Sequence, residues 1–173
     1  MAHQGLGEER GDPGGIPGGI GELADAATFL LNIPVRFDFE RRLFAMRQRG
    51  PLRAEELSQA MDGIQEEWYG PSLARRFPLF WAEKLHFYLT GSPFYNFPYT
   101  FGYLFSAMVH QRALDEGPAW AGTWRELLRG TGSEGTEDLA RRFLGVDLGR
   151  PEAWRAPIER LLPLVEELEA AAG

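Results

Sequence analysis

The 173-residue chain contains no cysteine, which excludes disulfides and thiolate metal ligands and fits a reducing, cytoplasmic setting. Lysine is almost absent as well: Lys84 is the only one, and the other basic side chains are arginines. They form no basic stripe with interleaved aromatics, and a net charge of −7 repels a phosphate backbone, so nucleic acid is not an expected partner. No apolar run approaches the roughly eighteen residues of a membrane span, and no charged-then-apolar signal pattern opens the chain. The three histidines, His3, His86 and His110, lie far apart and no H-E-x-x-H occurs, so no metal site is expected. GGIPGGIG lacks the lysine of a phosphate loop, and no Ser/His/Asp set stands out. Acidic pairs such as Glu55–Glu56 and Glu66–Glu67 sit in helical runs with arginines nearby and read as solvated faces.

What is present suits one helical domain. Hydrophobic residues make up 44% and charged residues 25%, and the length suffices for a real core. Residues 1–21 hold eight glycines and two prolines without hydrophobic period, which predicts a disordered head before a helical region over 22–173. Leu23, Ala26, Ala27, Leu30 and Leu31 then recur at helical spacing, with Pro34 expected to kink or end that segment. A second helical run aligns Phe39, Leu43 and Met46 and stops at Gly50–Pro51. A third, begun at Pro51, aligns Leu57, Met61, Ile64 and Trp68.

Residues 72–80 read as a loop and FWAEKLHFYLT as a short helix. A long helix then runs to about Leu114 with Asn96 as its N-cap, and Trp120–Arg129 forms another. Thr136 is placed to cap EDLARRFLG, and the last helix starts at Pro151, bent or interrupted near Pro157 and Pro163. No long period-two alternation occurs, so the fold class is all-α.

The most unusual stretch is FYNFPYTFGYLFS, residues 94–106, with seven aromatic rings. Tyrosines stand at 95, 99 and 103 and phenylalanines at 97, 101 and 105. On a helix residues four apart share a face, while residues two apart differ by about 200°, so the two sets face different ways. Phenylalanine suits a dry core and a tyrosine hydroxyl wants a partner or water, which predicts Phe inward and Tyr toward a cleft or surface. Gly102 weakens the helix by roughly 1 kcal/mol relative to alanine, which suggests a close approach by another helix or by a ligand backbone. Periodicity alone leaves two readings open, an aromatic packing helix and a binding wall. His86, in the apolar context LHFYL, is open in the same way between a hydrogen-bonded core residue and a donor to a ligand.

AATFLLNIPVRFDFE, EEWYG, WAEKLHFY, FYNFPYTFGYLFS, TGSEGTEDLARRFLGVDL and PEAW, in that order, resemble the C-terminal part of oligoendopeptidase F-type enzymes, relatives of thimet oligopeptidase among the zinc peptidases. The resemblance spans about residues 24–165 and is most specific in LHFY and YNFPYTFGYLFS. It implies an α-helical channel for short peptides, hydrolysed by a zinc-bound water. His86, Tyr99 and Tyr103 would then assist the tetrahedral intermediate, and Tyr95 and Gly102 would line the substrate.

The family's zinc helix and its third, glutamate ligand precede the AATFLLNIP block. Here that place holds the Gly/Pro-rich head, and Glu22 does not match the third ligand. The expectation is a C-terminal piece of a zinc oligopeptidase, from truncation, a frameshift or a split gene. Such a piece carries no zinc of its own, is inactive alone, and could partner a zinc-bearing N-terminal half. Apolar faces made to meet that half would favour self-association. The alternative is a non-catalytic helical module that binds a peptide or protein through Tyr95, Tyr99 and Tyr103; a blander one is a piece with no function of its own.

Overall fold

Pro34 sets the shape of the first third of the chain. It has no N–H, and its ring crowds the carbonyl four residues earlier, so the helix cannot pass it in regular α geometry. In the computed structural model, which describes residues 19–172, helix α1 (Ile20–Ala27) runs into a π-helical turn, Thr28–Asn32, and continues as α2 (Ile33–Arg47). The Ile33 N–H reaches back to the Thr28 carbonyl, and Pro34 has no N–H to offer Phe29. The Phe29 carbonyl is instead met by the Thr100 hydroxyl, at 2.5 Å, from a helix seventy-one residues later. One proline thus produces both a local bulge and a tertiary tie.

The remaining elements are α3 (Ala54–Tyr69), α4 (Phe80–Glu83), a 3₁₀ turn at Leu85–Tyr88, α5 (Phe97–Glu116), α6 (Trp120–Gly130), α7 (Thr136–Leu139), a π turn at Ala140–Leu144, α8 (Pro151–Glu159) and α9 (Leu162–Ala172). Among the described residues there is no strand, and the chain is all-α.

Two small cores hold these helices. In the first, Val35 and Phe39 of α2 meet Ala60, Met61 and Ile64 of α3, with Phe80, Trp81 and Phe87 laid over them. The edges of the α2–α3 pair are tied by Arg42 to both oxygens of Glu67, at 3.0 and 3.1 Å, and by the Trp68 indole N–H to Asp38, at 2.8 Å. In the second core, Met108 and Val109 of α5 meet Trp120 and Leu127 of α6 and Leu144.

Several expectations are corrected. Ile20 and Gly21, expected to belong to the head, are the first residues of α1, and the head's residues 1–18 lie outside the described residues. Helix α3 begins at Ala54 and not at Pro51, because the Glu56 carboxylate accepts from the Arg53 N–H, 3.0 Å away, and fixes the start there. FWAEKLHFY is two pieces, broken at an extended Lys84. Thr136 is the first residue of α7, and Gly135 holds the cap position. The final segment is interrupted as expected, at Arg160–Leu161 between its two prolines.

The largest correction concerns the aromatic rows. Phe105 packs against the second core as expected, but the row as a whole is not the core face of α5: Phe97 is 55% exposed, and the buried residues of α5 are Leu104, Met108 and Val109. Phe97, Phe101 and Phe105 stack into a ladder with centroid spacings of 5.7 and 5.8 Å, and Trp154 closes on Phe101 at 5.4 Å. The upper rungs, with Ile33 and Phe37, line an open apolar cleft of about 220 Å³ between α2, α5 and α8. Asn96, just ahead of α5, is tied to α2 through Glu40, and Thr100 to the π turn through the Phe29 carbonyl, while Phe97 lies over the cleft.

Asn96 does not cap α5 with its side chain either. It is fully buried, and its amide donates to Glu40, itself 2% exposed, at 3.4 Å. The other Glu40 oxygen accepts from the Phe94 N–H at 2.6 Å. Phe94 has a φ of 60°, a left-handed conformation costly for a bulky side chain, and its ring is held between Phe37 and Phe44. A buried carboxylate therefore pins a strained turn at the head of α5.

Removing that carboxylate strands the Phe94 N–H and the Asn96 amide. Glu40→Ala should cost roughly 2–5 kcal/mol in urea unfolding, at about 1–3 kcal/mol per unpaired buried group. Glu40→Gln keeps an oxygen for Phe94 and should cost clearly less; equal costs would show that burial alone matters at this position.

Gly102 has no neighbour: a Cβ built there meets nothing within 4 Å, so no adjacent helix requires the glycine. Gly102→Ala should raise the unfolding free energy by about 0.5–1 kcal/mol, the ordinary gain of alanine over glycine within a helix. Thermal and denaturant unfolding of the variant would measure it.

Candidate functional site

The 3₁₀ turn at Leu85–Tyr88 fixes His86 by way of its neighbour. Phe87 enters the first core and meets Phe39 edge-on at 4.9 Å. Successive residues of a 3₁₀ helix diverge by about 120°, so His86 is turned out of that core. Its ring meets two of the tyrosines. Tyr95 stacks on it at 5.7 Å with 22° between the planes, and Tyr99 stands edge-on at 5.8 Å. Tyr95 and Tyr99 are edge-on to each other at 5.8 Å, so the three rings form a closed trio. The His86 Nε2 and the Tyr99 hydroxyl are 3.4 Å apart, a long hydrogen bond of the kind that tightens when a ligand is seated.

Tyr103 is not in the trio. Its ring stacks on Phe29 at 5.1 Å, beside the π turn, and it opens on a pocket shared with Glu22, Asp25 and His110. Tyr103 and Tyr99 are both four residues from a neighbour in the tyrosine row, but the roughly 40° drift per step takes Tyr103 toward α1. Gly102 faces open space beside this row. The structure thus brings together His86, Tyr95 and Tyr99, and places Tyr103 apart from them.

A further residue belongs beside the trio. Arg36, half-buried on α2, donates from Nη2 to Asn32 Oδ1 at 2.5 Å, and its guanidinium lies 5.4 Å over the Phe80 ring. Its charge acts on the hydroxyls of both Tyr69 and Tyr99. Burial pulls its pKa below the usual guanidinium value, which still leaves it a cation at neutral pH. Nothing local in the sequence singled it out; the only trace is the four-residue spacing of Asn32 and Arg36, which puts them on one face.

Three tyrosines are shifted upward. Tyr99 is raised by desolvation first and then by the Tyr95 phenol, with Arg36 acting in opposition. Tyr69 is raised by burial, opposed by a hydrogen bond with Asn32 and by the Arg36 charge. Tyr103 is raised by burial, then by the charges of Glu22 and Asp25. At neutral pH each therefore keeps its proton and can donate it to an acceptor. Donation is what the trio offers chemically: an imidazole and two phenols, partly exposed, next to a cation. Among the described residues no group of three or more His, Asp or Glu side chains is placed to hold a metal ion.

The upward shifts set the direction of an alkaline transition. In the unfolded chain these tyrosines ionise near pH ~10, while the folded protein keeps them neutral to a higher value. Their contribution to stability is complete below about pH 10 and is lost as the pH rises through the folded values. The denaturation midpoint should fall from about pH 10 upward, and Tyr99→Phe should make the fall shallower. A midpoint that held steady to about pH 12 would contradict it.

No protein-family model, curated protein or solved structure matches the chain, so the chemistry of the trio rests on its own atoms.

Proposed function

We propose that the His86–Tyr95–Tyr99 face is the substrate wall of an oligoendopeptidase F-type zinc peptidase, binding short peptides and donating hydrogen bonds to the carbonyl under attack. The observation that carries this reading is the contact of His86 Nε2 with the Tyr99 hydroxyl, inside a trio locked by Tyr95. When Nε2–H donates to the Tyr99 oxygen, the Tyr99 proton is free to point at a peptide carbonyl. That bond polarises the phenol, so it gives more to an oxygen that is gaining charge than to a resting carbonyl. One such donor is worth roughly 2.7–4 kcal/mol at a developing oxyanion.

Tyr95 serves by holding the imidazole plane, and Tyr103, one turn on, by extending the hydroxyl row toward α1. The open space at Gly102 leaves room for a peptide backbone beside that row. In this family a bound zinc supplies the polarised water. The described residues offer no set of ligands for it, so the zinc comes, in this reading, from a separate zinc-bearing half. The chain alone binds and orients peptide without cleaving it.

The test is peptide binding. An acetylated and amidated hexapeptide with a central leucine should bind the protein measurably by calorimetry. Tyr99→Phe and His86→Gln should each weaken it about tenfold, the worth of one hydrogen bond, while the melting temperature stays near that of the parent. Binding that both variants retain unchanged would remove the trio from the site and favour a packing role for its rings. Absence of binding would refute the wall altogether.

A further inference from the structure

Beside the trio lies a second and larger concavity, an open cleft of about 660 Å³ between the π turn, α2 and the end of α3. Its charge is unusual for this chain. Acidic residues outnumber basic ones by 25 to 18 overall, yet two arginines, Arg36 and Arg75, line the cleft and no acidic residue does. Among the described residues, neither arginine has a carboxylate within 4.0 Å, although nine other arginines do.

Arg36 is also under-satisfied. Its Nε–H is shielded from water without an acceptor, and Asn32 is its one side-chain acceptor among the described residues. A half-buried guanidinium with spare donors is poised for a planar two-oxygen anion, which matches its fork of N–H groups. Alongside polar Gln65, Tyr69 and Ser72, the cleft has four large apolar side chains, Leu31, Leu73, Phe77 and Phe80. They suit a hydrocarbon side chain next to that anion and do not suit a fully hydrated phosphate.

We infer that this cleft takes the C-terminal carboxylate of a short peptide, with an apolar last side chain, and that Arg36 is the group that recognises it. The inference rests on the peptide-binding reading of the neighbouring wall and adds an end specificity to it. The Arg36 charge reaches the Tyr99 hydroxyl, so in this reading a peptide anchored by its end at Arg36 presents its preceding carbonyls to the Tyr99 wall. The arrangement favours cleavage or capture a fixed few residues from a free carboxyl end.

The experiment compares acetylated peptides of one sequence ending in leucine, with a free carboxylate or an amide, by calorimetry on the whole chain. Acetyl-leucine and inorganic phosphate serve as further probes. The free acid should bind about 10- to 100-fold tighter than the amide, as a charge-assisted hydrogen bond to a partly desolvated cation provides. Arg36→Gln should erase the difference between acid and amide. Arg75→Gln, on an exposed side chain whose loss does not threaten folding, should reduce the difference in part.

Equal affinity of acid and amide, both weakened by Tyr99→Phe, would overturn the carboxylate site and leave the peptide wall standing. Acetyl-leucine binding as tightly as the peptide would overturn the peptide source, and phosphate binding as tightly would overturn the carboxylate. No binding of any probe would overturn both readings.

Discussion

The placement of Tyr95 and Tyr99 traces back to the buried carboxylate of Glu40. A lone charge in a protein interior is tolerated only when its oxygens are met by donors. Here the donors are the Phe94 N–H and the Asn96 amide, at the start of the aromatic segment. Satisfying Glu40 therefore forces the chain to turn at Phe94 in a left-handed conformation and to begin α5 at Phe97. The register of α5 follows, and with it which residue of the tyrosine row stands opposite His86. The strain at Phe94, of order 1–3 kcal/mol for such a backbone, is offset by the charge-assisted bond it makes.

The second tie, Thr100 to the Phe29 carbonyl, acts on the same end of α5 from a different cause. Pro34 frees a carbonyl on one helix, and a hydroxyl one turn into α5 takes it. Between them the two ties join the core built on α2 and α3 to the core built on α5 and α6. Few other polar contacts do so, which leaves the cleft beside the Phe ladder open where a larger interface would have closed it. The site lies on this seam. His86 is carried by the first core through Phe87, and Tyr95 and Tyr99 by the head of α5.

Much of the helical frame was legible in the sequence because it is written in local period. Met61 and Ile64 are fully buried where their spacing placed them, and Gly50, in the turn that follows α2, has a φ of 127° that favours glycine. What the sequence hid is what depends on partners far away. Asn96 is a good N-cap residue by type, but its Nδ2 donates to Glu40, fifty-six residues earlier, and its Oδ1 accepts from no N–H of α5. The Phe row looked like a core face because hydrophobic spacing cannot say how far a neighbouring helix extends. Arg36 was invisible since an arginine on a helix is ordinarily solvated; only its stacking on Phe80 and its lack of an acid set it apart. Of the tyrosine row, pairing with His86 could be read for no member without the turn that Glu40 imposes.

The sorting of rings by hydroxyl acquires a physical basis from this geometry, though not the one that core and surface suggest. Both rows are substantially accessible: Tyr99 is 37% exposed, less than Phe97. The difference between them lies in what faces each row. Across from the phenylalanines stand Ile33, Phe37 and Trp154, and a hydroxyl there would find no partner. Across from Tyr95 and Tyr99 stands an imidazole, and Tyr99 also feels the charge of a guanidinium, where a bare phenyl ring would leave donors unanswered. Each row is matched to its own cleft, one dry and one rich in donors. A surface selected only for solubility would have no reason to keep them apart, whereas a wall that must present hydroxyls to a polar chain on one side would.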